Sequence, residues 1–247
     1  MTFDAHPRSN LIVALDFDSL SSAVRFATKI ADLVGMFKIG KQLFTAAGPE
    51  VVRQVSALGP GVFLDLKYHD IPNTVAGAVL SAAGIGGVQL VNIHALGGSA
   101  MMRAAVQSVN AVSAMGEDRP RLLAVTILTS LDHKAMREVG ISGLPKDRVL
   151  KLAKLAKKAG VDGVVASVQE AKAIRKACGP EFLIATPGVR PAPKAGAAKQ
   201  DDQSRTATPT EAIRAGADFV IVGRPILEAA DPRQATQEIV DEIAAAQ

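Results

Sequence analysis

Short apolar runs punctuate the chain at Leu11–Leu15, Met36–Ile39, Val62–Leu66, Gln89–Ile93, Leu122–Leu128, Gly163–Ala166, Phe182–Ala185 and Phe219–Val222. Each is continuous instead of alternating, the pattern of a parallel strand covered on both faces. The stretches between them carry helical spacing. From Leu20 to Val34, the residues Leu20, Val24, Ala27, Ala31 and Val34 fall on one stripe, with Arg25, Lys29 and Asp32 away from it. From Arg148 to Ala159, Val149, Leu152, Leu155, Ala156 and Ala159 interleave with Lys151, Lys154, Lys157 and Lys158. Gly35, Gly160, Gly179 and Gly216 stand where such helices would stop. Eight strand–helix units in 247 residues predict an α/β protein built as a single-domain (β/α)8 barrel over residues 11–247, after an N-terminal arm of residues 1–10. A doubly wound parallel sheet shares the alternation, but no shift in composition marks a second domain. The stretch from Pro191 to Lys199 reads as a loop over the barrel mouth, part of a lid spanning residues 191–205.

One segment requires a membrane check, because Ile71 to Met102 contains no Asp, Glu, Lys or Arg. A spanning helix needs ~20 predominantly apolar residues. Here Pro72, Asn73, Gly84, Gly86, Gly87, Gln89, Asn92 and His94 interrupt the run, which reads as a helix over about Thr74 to Ala83, a glycine break and a buried strand. That helix carries no charge on any face. An outer barrel helix normally shows a polar stripe, so a partner subunit is the simplest cover, and a homodimer is expected.

Composition narrows the function classes. Hydrophobic residues make up 48% and charged residues 21%, which excludes global disorder. A net charge of +4, from 28 basic and 24 acidic residues, is too small to argue for nucleic acid. Eight Phe, one Tyr and no Trp leave few platforms for stacking bases. Cys178 is the sole cysteine, which excludes a disulfide framework and a Cys-rich metal site and fits a reducing cytoplasm. The opening segment MTFDAHPRSN is polar and has no secretory pattern, pointing the same way.

In a barrel of this type, chemistry belongs to the C-terminal ends of the strands. That filter selects Asp16 after the first strand, Lys38 near the end of the second, and Asp65, Lys67, His69 and Asp70 at the third. It adds His94 at the fourth, Thr126, Thr129 and Ser130 at the fifth, Ser167 at the sixth, Thr186, Pro187 and Arg190 at the seventh, and Gly223 and Arg224 at the eighth. The densest cluster is Asp65-Leu66-Lys67-Tyr68-His69-Asp70. Strand alternation puts Asp65 and Lys67 on one face with Leu66 on the other, so the two charges need each other or a substrate. A structural ion pair capping the barrel is the alternative reading, and Lys38 and Asp16 could equally be rim residues. The Gly223-Arg224 pair offers backbone N–H donors and a guanidinium to an anion, and Arg190 and Gln203 could complete a phosphate site. Asp65 and Asp70 could hold a cation, but no His-x-His or acidic triplet accompanies them and Lys67 supplies positive charge between them, so no metal is expected. His6 reads as solvated, His94 as a packing residue or a ligand, and the Lys151–Lys158 run as a solvated face.

The segment from Phe63 to Thr74, with Asp65, Lys67, His69-Asp70-Ile71-Pro72 and Thr74, resembles the signature of the orotidine 5′-phosphate decarboxylase family. Ala14-Leu15-Asp16, Phe37-Lys38-Ile39-Gly40, Val91-Asn92-Ile93-His94-Ala95, Val125 to Ser130, Thr186 to Arg190, Asp202-Gln203-Ser204-Arg205 and Val222-Gly223-Arg224 extend the resemblance in order from about Leu11 to the end. Asp-x-Lys-x-x-Asp alone is shared with related phosphosugar decarboxylases and synthases; His-Asp-Ile-Pro-x-Thr and Asp-Gln-x-Arg are more specific. The resemblance implies loss of CO2 from orotidine 5′-monophosphate to give UMP in a cytoplasmic homodimer, with no metal or organic cofactor. It implies Lys67 as proton donor, Asp65 against the substrate carboxylate, and Asp70 and Thr74 reaching into the neighbouring subunit's site. Asp16 and Lys38 would hold ribose hydroxyls, Thr129 would sit by the pyrimidine, and Arg190, Gln203, Gly223 and Arg224 would bind the 5′-phosphate. Two rival readings are a Mg2+-dependent keto-sugar-phosphate decarboxylase or synthase and a non-catalytic barrel that binds a phosphorylated ligand.

Overall fold

A computed structural model describes residues 6–114, 118–191 and 207–247. Eight parallel strands close into a barrel in sequence order: β1 (Leu11–Ala14), β2 (Met36–Gly40), β3 (Gly61–Tyr68), β4 (Val88–His94), β5 (Arg121–Val125), β6 (Gly163–Val165), β7 (Leu183–Pro187) and β8 (Phe219–Val222), with β8 returning to β1. The closure decides between the two α/β architectures that the alternation allowed. Each strand is buried on both sides, which is why its sequence is a continuous apolar run. Ile12, Met36, Phe63, Leu90, Leu123, Val165, Ala185 and Phe219 point inward and fill the barrel. Their neighbours Leu11, Val13, Phe37, Leu64, Val91, Leu122, Val164 and Val220 point outward against the helices. Phe37, Phe63 and Phe219 are almost wholly buried, each worth roughly 1.5–3 kcal/mol of transfer free energy.

Boundaries shift by a residue or more at most elements, and four of these differences have a visible physical reason. The apolar run expected to extend β5 to Leu128 leaves the ladder after Val125, where the Thr126 N–H and hydroxyl both donate to Val165 O, at 3.2 and 3.0 Å. β3 is longer than its apolar run, carrying Lys67 and Tyr68 into the sheet. The first long helix spans Leu20–Ile30 and buries Ala23, Phe26, Ala27 and Ile30, a stripe rotated from the expected one, before a 3-10 turn at Ala31–Leu33. The uncharged segment forms a helix over Pro72–Ala83, packed against the helix Gly98–Ala114, and then enters β4. Pro72, Asn73, Thr74, Gly77 and Ser81 are its exposed positions, so the absence of charge does not amount to a bulky apolar face. Among the described residues, no helix is long and apolar enough to cross a membrane. Pro7–Asn10 of the arm make a 3-10 turn under the barrel, where Asn10 Nδ2 donates to Asp218 O at 2.8 Å.

Candidate active site

The alternation that fills the barrel also delivers its polar mouth. Two residues beyond the inward-pointing Ala14, Met36, Phe63 and Leu90 come Asp16, Lys38, Asp65 and Asn92, so the layer above the apolar filling is charged and polar. Asp16, Lys38 and Asp65 of this layer line a cavity of about 780 Å3, together with Lys67, Thr129, Arg190, Gly223 and Arg224 among others. That volume suits a mononucleotide-sized ligand.

Four of these residues form an alternating chain of charge. Asp16 Oδ1 lies 3.3 Å from Lys38 Nζ, Lys38 Nζ lies 3.4 Å from Asp65 Oδ2, and Asp65 Oδ1 accepts from Lys67 Nζ at 2.7 Å. Asp65 is 7% exposed, so its charge is tolerated because cations flank both oxygens. Gly40 makes room for this chain: a Cβ there would come within 3.2 Å of Lys38 Nζ.

Lys67 does not reach the cavity by simple strand alternation. The β3–β4 register jumps from Leu64↔Val91 to Tyr68↔Ile93, leaving two extra residues in β3. Within this bulge Lys67 has φ 52°, the sole non-glycine residue with positive φ among the described residues. Such a conformation costs on the order of 1–3 kcal/mol and persists only where its surroundings hold it. The hold comes from Asn92, which is wholly buried. Its Oδ1 accepts from Lys67 N at 2.8 Å and its Nδ2 donates to Asp65 Oδ1 at 2.6 Å. Sequence reasoning passed over Asn92 as a member of a strand, although its position two residues after the inward-facing Leu90 placed it in the polar layer.

His94, next along that face, stacks on His69 with ring centroids 5.3 Å apart. Burial, assisted by the electrostatic influence of the neighbouring His69, Lys67 and Lys41, pushes its pKa down to about 4, so the ring is neutral at physiological pH. Its Nδ1 is buried without a hydrogen-bond partner among the described residues.

Asp70 and Thr74 stand apart from the cluster. Both are exposed, and Asp70 Oδ1 accepts from Ile71 N at 2.6 Å. Ile71 between them is 66% exposed. Of the other strand-end candidates, Thr186 donates its hydroxyl to Phe219 O at 3.1 Å inside the sheet, and Ser167 caps the helix Val168–Cys178 by accepting from Gln169 N at 3.4 Å. These hydroxyls, like that of Thr126, do structural work and do not face the cavity.

On the far side of the ring, after β7 and β8, the mouth is built from Arg190, Gly223 and Arg224. Because eight strands close the barrel in sequence order, β7 lies diametrically opposite β3. The segment after β7 leaves at Val189 and returns at Ala207, where the two form a parallel bridge and Arg190 N donates to Ala207 O at 2.9 Å. Gln203 and the expected lid from Pro191 to Lys199, beyond Pro191 itself, lie outside the described residues. No group of three or more His, Cys, Asp or Glu side chains is placed to hold a metal ion among the described residues.

Comparison with known proteins gives a consistent result. A profile of the "Orotidine 5′-phosphate decarboxylase / HUMPS family" matches residues 9–239. The orotidine 5′-phosphate decarboxylase of Pelobacter propionicus is 56% identical over 238 residues, covering 96% of each chain. That of Geobacter sulfurreducens is 52% identical over 238 residues, covering 96% of this chain and 97% of the relative. Among solved structures, the orotidine 5′-phosphate decarboxylase of Lactobacillus acidophilus superposes with a TM-score of 0.81 at 38% identity, covering 94% of this chain and 98% of that one.

Proposed function

The chain belongs to the orotidine 5′-phosphate decarboxylase / HUMPS family, and on that premise we propose how its residues divide the work. The reaction is decarboxylation of orotidine 5′-monophosphate to UMP, the closing step of de novo pyrimidine nucleotide synthesis, and the protein is a carboxy-lyase. The observation that carries the assignment of roles is the Asp16–Lys38–Asp65–Lys67 chain on one side of a nucleotide-sized cavity, with Arg190 and Arg224 on the other.

Loss of CO2 leaves an electron pair in the ring plane at C6, where the π system cannot delocalise it. The barrier falls only if positive charge already waits beside that carbon. Lys67 supplies the charge through its ammonium and then delivers a proton to C6, giving UMP and a neutral amine that is reprotonated from solvent. Asp65 orients that ammonium and, lying against the departing carboxylate, raises the energy of the bound ground state. Asp16 and Lys38 hold ribose hydroxyls and Thr129 faces the pyrimidine. Arg190, Gln203, Gly223 and Arg224 hold the 5′-phosphate, and that remote grip is converted into orientation at C6.

Asp70 and Thr74 work in a neighbouring subunit. Their exposure at the entrance of the Pro72–Ala83 helix, beside the exposed Ile71, supports a homodimer in which Asp70 completes the charge chain across the interface. The protein acts in the cytoplasm on a free nucleotide; neither nucleic acid nor membrane is a partner. The rival Mg2+-dependent chemistry is disfavoured by Asp65 itself, because Lys67 and Asn92 already meet Oδ1 and the Lys38 ammonium lies 3.4 Å from Oδ2.

Ultraviolet assay of orotidine 5′-monophosphate consumption tests the reading. Wild-type protein is expected to turn over equally with and without EDTA, and Lys67→Ala to lose about 10³-fold or more in kcat while still binding UMP. Loss of activity in EDTA would favour the metal-dependent rival, and an active Lys67→Ala protein would remove Lys67 as the acid.

A further inference from the structure

The side chain that makes the mouth chemistry possible without touching the cavity is Asn92. The bulge in β3 takes Lys67 out of the sheet ladder, since pairing passes from Leu64 straight to Tyr68. Its N–H therefore needs an acceptor from elsewhere, and Asn92 Oδ1 is that acceptor at 2.8 Å. The same amide donates from Nδ2 to Asp65 Oδ1 at 2.6 Å, the oxygen that also meets Lys67 Nζ at 2.7 Å. The orientation of the amide follows from its partners: a backbone N–H can only donate and an ionised carboxylate can only accept. Asn92 is wholly buried, so bulk water cannot replace either contact.

We propose that Asn92 is a positioning residue that fixes Asp65 and Lys67 relative to each other, clamping the carboxylate rotation and the left-handed backbone of the lysine with one amide. The inference rests on the roles given above to Asp65 and Lys67. An asparagine fits this task because it places one donor and one acceptor on a short, stiff stem. Leucine offers neither, and aspartate keeps the acceptor but turns the donor into a second carboxylate facing Asp65. Unclamped, Asp65 can rotate about its terminal bond and Lys67 can relax out of its positive φ, moving the ammonium while leaving the wall of the cavity around Arg190 and Arg224 as it was.

Asn92→Ala and the nearly isosteric Asn92→Asp are each expected to lower kcat about 10²-fold, the scale of an ångström-sized misplacement. KM and the affinity for UMP should stay within about three-fold, because the phosphate side is remote. Added to Lys67→Ala, either substitution should cost no further rate, since Asn92 acts through the residue already removed. Near wild-type kcat in both variants would overturn the inference. So would a kcat loss matched by an equal weakening of UMP binding, additivity with Lys67→Ala, or failure of both variants to fold, each of which would make Asn92 structural. Lys67→Ala, assayed alongside, separates the two levels. If it stays active, the role given to Lys67 fails; if it is dead while the Asn92 variants are normal, the clamp alone fails.

Discussion

At the N-terminal end of the barrel, Arg175 donates to the carbonyls of Gly179, Pro180, Phe182 and Gly216 and to Asp218 Oδ2 at 2.6 Å. Asp218 also accepts from Ile184 N at 2.7 Å, which ties β7 to the residue before β8. The arrangement repeats two strands back round the ring, between β5 and β6: Arg119 grips Asp162 through both carboxylate oxygens, at 3.1 and 2.9 Å, and Asp162 Oδ2 accepts from Leu122 N at 2.7 Å. At the opposite end, the charges meet through lysines, one Nζ to one oxygen at a time, around an open cavity. Planar guanidinium forks saturate their acceptors and lock backbone in place, whereas an ammonium on a flexible stem keeps donors free for something that arrives later. The same pairing of opposite charges thus closes the bottom of the barrel and leaves the top available for chemistry.

That contrast breaks most visibly at the mouth. Arg224→Ala is expected to weaken nucleotides carrying the 5′-phosphate by roughly 10–150-fold relative to the bare nucleoside, the value of a charge-assisted contact of about 1.5–3 kcal/mol. Inhibition constants for UMP and uridine measure it, and equal losses for both would place Arg224 away from the phosphate. The fold should barely notice.

The bottom should show the reverse. Arg175→Ala leaves five acceptors short of a donor and should lower unfolding free energy by about 2–4 kcal/mol. Activity per folded molecule should be unchanged within about two-fold. Urea titration read alongside specific activity checks both halves. An Arg175→Ala protein of undiminished stability, or one whose folded molecules have a poor kcat, would blur the distinction between the two ends.

Much of this was legible in the chain, for reasons that also explain what was not. Strands buried on both faces write themselves as continuous apolar runs, and the eight-fold alternation is consistent with closure because nothing else interrupts it. The polar strand ends were visible because a charge directly after an apolar run has few places to go. Three features were hidden. The positive φ of Lys67 depends on a register jump between β3 and β4 that no local pattern encodes. Thr126, Ser167 and Thr186 look like mouth residues in sequence, yet their hydroxyls are consumed by neighbouring backbone. Asp162 and Asp218 were passed over because an acid just before a strand resembles any loop residue until its Arg partner, 43 positions away in each case, is folded against it.

Assembly of the site from two chains, with Lys67 of one subunit completed by Asp70 of another as proposed above, can be tested by complementation. Lys67→Ala and Asp70→Ala proteins, each expected to be inactive alone, can be unfolded, mixed in equal amounts and refolded together. In a two-fold dimer every mixed pair holds one doubly defective site and one intact site, and random pairing makes half the dimers mixed. Recovery of activity in about a quarter of all sites is therefore the expected result. Absence of any rescue, with both variants refolded and dimeric by gel filtration, would show that the charge chain is completed within a single chain.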